Sequence, residues 1–149
     1  MHRTHHDTSL LHAQSDEEVR SCWPVMRILR PSLGDADAFV AACRRMQPEG
    51  YRLLAARDDG VVMAVAGYRI QENLLFGRFL YVDDLVTSDT ARGQRWGAHV
   101  LGALKTIASA KHCRRLVLDT GLANGLAQRF YFREGLLPLA LRFTTAEEK

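Results

Sequence analysis

Arg92-Gly93-Gln94-Arg95-Trp96-Gly97-Ala98 is a basic, glycine-bearing turn of phosphate size, set between an apolar strand and an amphipathic helix. The run ahead of it, Phe79-Leu80-Tyr81-Val82-Asp83-Asp84-Leu85-Val86-Thr87, is rich in β-branched and aromatic residues and reads as a strand. After it, Gly97, Val100, Leu101, Leu104, Ile107 and Ala108 recur at helical spacing on one stripe. At the start of such a helix the first N–H groups have no intrahelical acceptor and lie at the positive end of the helix dipole, so they bind an anion directly. Gly93 and Gly97 keep Cβ atoms out of the approach, and the anion that suits such a turn is a cofactor pyrophosphate.

Upstream, residues 51–57 and 61–70 are apolar runs joined by Asp58-Asp59-Gly60, a strong hairpin signal, and lead through Asn73 and Gly77 into the 79–87 strand. These predict an antiparallel meander. Nearer the start, residues 9–13 read as a short strand, and Ser15-Asp16-Glu17-Glu18 is a capping box opening a helix that Pro24 divides into two pieces before Pro31. A further helix covers residues 35–46, with Phe39, Val40, Cys43 and Met46 on its buried face. Downstream, Arg115-Leu116-Val117-Leu118-Asp119 reads as a strand, residues 124–134 as a helix and residues 136–143 as a final apolar strand. A meander followed by strand, helix and strand predicts an α+β (mixed α/β) fold in which a crossover helix makes the last connection to a parallel neighbour. Residues 1–8, with His2, His5 and His6, read as a mobile tail, and residues 9–149 as a single domain.

Composition narrows the function classes. A chain of 149 residues encloses a core without disulfides or a structural metal, and no metal is expected. The net charge of +3 is modest and no basic block concentrates it, which argues against nucleic acid as a partner. No apolar stretch approaches the roughly 20 residues of a membrane helix, so no membrane is expected. Cys22, Cys43 and Cys113 are odd in number and widely spaced, and the start has no apolar secretion region; the expected location is cytoplasmic.

The turn reads Arg92-x-x-Arg95-x-Gly97, and Asn124-x-x-Ala127-x-x-Phe130-Tyr131-x-x-x-Gly135-Leu136 follows it. Together they resemble the GNAT superfamily of N-acetyltransferases, in its small bacterial single-domain form. That family's signature is Arg/Gln-x-x-Gly-x-Gly/Ala between a central strand and a helix, with a later Asn, Ala, Tyr and Gly-Phe element. The resemblance covers residues 9–143. It departs at Arg95, which stands where the family places its first glycine, so that a side chain there must point outward to leave the pyrophosphate room.

The resemblance implies a mixed, mostly antiparallel twisted sheet of about six or seven strands flanked by about four helices. It implies acetyl-CoA as co-substrate and an amine as acceptor. The backbone of Leu85, Val86 and Thr87 would meet the pantetheine arm, and that of Arg92, Gly93, Gln94, Arg95, Trp96, Gly97 and Ala98 the pyrophosphate. Asn124 matches the family's asparagine, which reaches the pantetheine, and is equally an ordinary helix N-cap. Tyr131 matches the tyrosine that protonates the departing thiolate, and a phenol is protonated at neutral pH. Gln128 stands where relatives often carry histidine, so that histidine's acid–base role is absent. A homodimer is a further implication.

An amine near neutral pH is mostly ammonium, so a base must take a proton before attack, and Asp83 and Asp84 are the candidates. Strand alternation sends them to opposite faces, and Asp84 is favoured for the cleft. The bland alternative is that one aspartate pairs with an arginine such as Arg78 and the other caps a turn. Trp23, Met26 and Phe76 would form an apolar mouth for a small amine. The runner-up function is a non-catalytic protein that binds acyl-CoA or regulates through it.

Overall fold

In the computed structural model, which describes residues 7–91 and 93–148, a five-stranded sheet runs in the order β1-β2-β3-β4-β5. Its strands are β1 (Thr8–His12), β2 (Arg52–Asp58), β3 (Val61–Asn73), β4 (Gly77–Thr87) and β5 (Arg115–Leu118). The helices are α1 (Asp16–Ser21), α2 (Trp23–Leu29), α3 (Ala36–Met46), α4 (Trp96–Ala110) and α5 (Gly125–Arg133). The expected tail falls largely on residues 1–6, outside the described residues; Thr8 already pairs with Asp58 in the sheet. Arg92 also lies outside them.

Local chemistry places most of these boundaries. Ser15 Oγ accepts from Glu18 N at 3.1 Å while Ser15 N donates to Glu18 Oε1 at 3.0 Å, closing the capping box of α1. Pro24 sits in the first turn of α2, where its missing N–H costs no ladder bond, so the single helix of the sequence pattern becomes two. Asp35 caps α3 by accepting from Ala38 N at 2.8 Å. Asp59 and Gly60 take φ of 50° and 82°, the paired positive values of a tight hairpin turn between β2 and β3. The β1–β2, β2–β3 and β3–β4 pairs are antiparallel. β5 joins beside β4 after the α4 crossover, which makes the sheet mixed.

Alternation along β2 divides the layers. Leu53 and Ala55 join Val19, Cys22, Met26, Phe39 and Cys43 in a core under α1–α3. Leu54 and Ala56, equally buried, point the other way. On α4 the stripe Val100, Leu101, Leu104 and Ala108 is buried, and the helix packs on β2, β3 and β4. The helical periodicity of the sequence is therefore the real packing surface.

The chain divides into two compact units, Met1–Val117 and Leu118–Lys149. In the second, α5 ends in a complete Schellman cap: Gly135, at φ 88°, donates to Phe132 O at 3.1 Å, and Leu136 N donates to Tyr131 O at 2.9 Å. The strand expected over residues 136–143 is absent from the described structure. Pro138 removes a donor from the middle of the run, and Leu137, Leu139, Leu141 and Phe143 stay 64–89% exposed. The sheet accordingly has five strands where six or seven were expected, and Pro24 raises the helix count to five among the described residues.

Gly67 is where β3 is most constrained. A Cβ there would lie 1.9 Å from Tyr51 Oη and 2.7 Å from Asp84 Oδ2, closer than any real contact. Gly67→Ala is expected to destabilise the protein by about 1–3 kcal/mol through overpacking, read as a lower urea midpoint at unchanged slope.

Candidate functional site

The turn after β4 is built on positive φ. Gly93 has φ 82°, and Arg95, the N-cap of α4, has φ 62°. That left-handed conformation explains why a glycine suits the Arg95 position, and an L side chain holds it only against a local steric cost. Arg95 makes no side-chain cap, and the first turn of α4 contains no acidic residue. The first helical bond runs from His99 N to Arg95 O at 3.0 Å, which leaves the N–H groups of Trp96, Gly97 and Ala98 without intrahelical acceptors. Trp96 Nε1 donates to Gln94 Oε1 at 3.0 Å and steadies the turn. The uncompensated positive end of a 15-residue helix thus faces an approach that glycine leaves open, the arrangement that binds a phosphate.

Upstream of that turn, Leu85, Val86 and Thr87 pair with Ala66, Val65 and Ala64 of β3. On the other side β5 is held at its entry, where Arg114 N donates to Arg78 O at 2.7 Å. With four residues against the eleven of β4, it is too short to run beside the whole strand. β5 is thus shorter than the strand it joins.

Asp83 and Asp84 do not separate to opposite faces as alternation predicts. The ladder pairs Gly67 with Asp84 and Tyr68 with Val82, so Asp83 is the extra residue of a β-bulge. The bulge turns both carboxylates toward one pocket of about 290 Å³, lined also by Arg30, Met26, Leu33 and Phe39. Asp84 accepts from Tyr51 Oη at 2.8 Å and from Arg30 Nε at 2.8 Å, and Arg30 also donates to Asp83 O at 3.0 Å. Asp83 Oδ2 accepts from Arg69 Nε at 3.1 Å, and Arg69 reaches Glu49 at 3.3 Å. Burial pushes the Asp83 carboxyl above its ordinary range, with the neighbouring Asp84 charge adding to the effect and Arg69 opposing it. Burial pushes the Tyr51 phenol up as well, and the charge of Asp84 adds to it, so Tyr51 stays protonated and donates to Asp84.

Arg30, Tyr51 and Arg69 were not legible as site residues. Arg30 is an arginine before a proline and Tyr51 an aromatic at the edge of a strand; only the fold brings them to the acid pair. The expected pairing with Arg78 is replaced by Arg30 and Arg69, while Arg78 Nε donates to Lys111 O at 2.7 Å at the end of α4. Of the expected apolar mouth, Met26 lines the pocket and Trp23 packs on Phe39 with ring centroids 5.6 Å apart. Phe76 instead packs before the start of β4 against Phe79, under Arg115. Cys43 borders the pocket, but burial pushes its thiol up to about 12, which removes it as a nucleophile.

In the second unit Asn124 caps α5, its side chain accepting from Ala127 N at 3.1 Å. Gln128 Nε2 donates to Gly121 O and Leu122 O at 3.1 and 2.9 Å and holds the preceding loop. Tyr131 stacks on Phe130 at 5.3 Å, and among the described residues its hydroxyl has no hydrogen-bond partner. Burial pushes its phenol up, so it stays protonated across the neutral range. No group of three or more metal-ligating side chains converges among the described residues, and no described helix is long and apolar enough to cross a membrane.

Residues 14–135 match the model of the Acetyltransferase (GNAT) family. A Bacillus subtilis (strain 168) protein described as an uncharacterized N-acetyltransferase, YhdJ, is 29% identical over 120 residues, which are 78% of this chain and 82% of that one. Among solved structures, the aminoglycoside N-acetyltransferase AAC(6')-Iy in complex with CoA superposes with a TM-score of 0.86 over 100% of both chains at 14% identity. The glucosamine-6-phosphate N-acetyltransferase from Arabidopsis thaliana superposes at 0.72 over 95% of this chain and 99% of that one, at 16% identity. At these identities the structural likeness speaks for the fold.

The strain at Arg95 is directly measurable. Arg95→Val is expected to lower unfolding free energy by about 1–2 kcal/mol, because a β-branched residue tolerates positive φ least, whereas Arg95→Gly is expected to leave it equal or higher. Urea denaturation of the two variants checks both signs.

Proposed function

This chain belongs to the Acetyltransferase (GNAT) family, and from that premise we propose that it moves the acetyl group of acetyl-CoA onto a primary amine of a small-molecule acceptor by direct attack. The observation that carries the cofactor reading is the open helix start behind Gly93, with no acid in its first turn. The backbone from Arg92 to Ala98 holds the pyrophosphate there, and Arg92 and Arg95 add charge-assisted contacts. Leu85, Val86 and Thr87 offer their edge to the amide-bearing pantetheine arm as a strand would, with Asn124 as a further contact. A backbone N–H near Val86 polarises the thioester carbonyl.

The acceptor enters at the acid pair. Met26, Leu33 and Phe39 suit a compact apolar body, and the carboxylates suit its ammonium. Asp84 attracts and orients that group, and the proton passes to the acid pair directly or through one water. Within the pair, Asp83 has the freer oxygen for that proton: its Oδ1 has no partner among the described residues, whereas both Asp84 oxygens already accept bonds. The free amine attacks the carbonyl carbon, the nitrogen of the tetrahedral intermediate gives up its second proton to solvent, the intermediate collapses with cleavage of the C–S bond, and Tyr131 donates its proton to the thiolate. Solvent reprotonates Tyr131. A cytoplasmic location accords with three free cysteines.

The chain is also proposed to pair with a second copy, since Leu137, Leu139, Leu141 and Phe143, at alternate positions of one segment, expose large apolar side chains. Leu139→Asp with Leu141→Asp is expected to convert a dimer to a monomer in sedimentation; a wild-type monomer would sink this part of the reading.

Calorimetric titration tests the cofactor, with acetyl-CoA expected to bind and dephospho-CoA and ATP to bind more weakly; no heat at millimolar acetyl-CoA would overturn the reading. In steady-state assays Tyr131→Phe is expected to lower kcat by about 100-fold while acetyl-CoA affinity stays unchanged. Unchanged turnover would remove Tyr131 from the chemical step. Retained acetyl-CoA binding with no turnover on any amine would favour the non-catalytic acyl-CoA-binding alternative.

A further inference from the structure

Tyr51 and Cys43 border two cavities. One is the acid pocket; the other, of about 680 Å³, opens around the start of β2 and reaches the C-terminal end of α4. Their charged linings differ: in the acid pocket each carboxylate is paired with an arginine. The second cavity is bordered by His12, Arg44, Arg52, Arg78 and Lys111, and by no aspartate or glutamate. Arg44 is neutralised by Asp16 at 2.5 Å. The others have no carboxylate partner: Glu72 stands opposite Arg78 in the β3–β4 register, yet the two form no ion pair among the described residues.

These cations are also oriented. Arg52 Nη1 donates to Tyr51 O at 2.9 Å and to Gln47 O at 3.3 Å, and Arg78 Nε donates to Lys111 O at 2.7 Å. Each guanidinium is held by one nitrogen and keeps its remaining donors uncommitted. The Lys111 ammonium forms no hydrogen bond or ion pair among the described residues. Between them, His12 Nε2 and Tyr68 Oη share a hydrogen bond of 2.7 Å, and Ile70 and Ile107 supply apolar wall. Burial, with the positive charge of Arg52 adding to it, holds His12 below its ordinary pKa.

We propose that this cavity is a second anion site, taking a compact organic molecule that carries a phosphate or carboxylate dianion between Arg52, Arg78 and Lys111. These donors border one cavity with no counter-ion of their own among the described residues, and a dianion supplies that charge while accepting directional bonds. The site is distinct from the proposed pyrophosphate turn, because the two lie at opposite ends of α4, about 22 Å apart along a 15-residue helix. Tyr51, bonded to Asp84 in the acid pocket, is the physical link between the two cavities.

The test is calorimetry on the full chain with inorganic phosphate, pyrophosphate and citrate, each at matched ionic strength and repeated with saturating acetyl-CoA. Saturable binding that persists with acetyl-CoA bound is expected, weakened about ten-fold or more in Arg52→Gln/Lys111→Met. Preference for the phosphates over citrate, or the reverse, identifies the dianion. The proposal is overturned if no anion binds saturably at millimolar concentration, if acetyl-CoA displaces the anion, or if the double variant binds as tightly as wild type. Should the double variant lose its circular-dichroism signature, Lys111→Met alone applies the same criteria, since that side chain is exposed. The anion titration stands without acetyl-CoA, so failure of cofactor binding and failure of this site are read separately.

Discussion

The hydroxyl of Tyr51 lies against the backbone of Gly67 and bonds to Asp84, and the geometry of the acid pocket depends on that approach. The missing Cβ at Gly67 creates the space. The bulge at Asp83 then turns two consecutive acids toward one pocket, which an unbroken strand would not do. Two like charges in a half-buried site repel, and the fold offsets this with Arg30 on Asp84 and Arg69 on Asp83. Glycine, tyrosine and arginine thus act as one unit from three distant parts of the chain.

Two sites of different charge are kept apart by the secondary structure. The start of α4 has no acid in its first turn, while the pocket beside the bulge holds two carboxylates, each paired with an arginine. In the proposed transfer the donor's phosphates meet the helix start and the acceptor's ammonium meets the acid pair, an arrangement that keeps the two charges apart while the reacting groups approach. The strain at Arg95 belongs to the same economy, since a residue held at φ 62° fixes the path of the turn into the helix.

Much of the first unit was legible because its signals are local. The capping box at Ser15, the proline that opens α2, the hairpin at Asp59 and Gly60 and the stripe of α4 each rest on contacts a few residues apart. The Schellman cap at Gly135 is of the same kind. Residues 136–143 fail for a related reason: their apolar alternation suits a strand, but strand formation needs a partner, and pattern alone supplies none. Pro138 weakens the run further.

The sequence by itself determined the order of elements, the glycine turn and its helix, and the family to which both belong, because hydrophobic period, caps and turn residues act at short range. Only the tertiary structure decided that Asp83 and Asp84 share a pocket, that Arg30, Tyr51 and Arg69 govern them, and that Phe76 packs elsewhere. Those outcomes follow from one bulge and one close approach between strands, and a bulge is a property of pairing between two strands that neither carries alone.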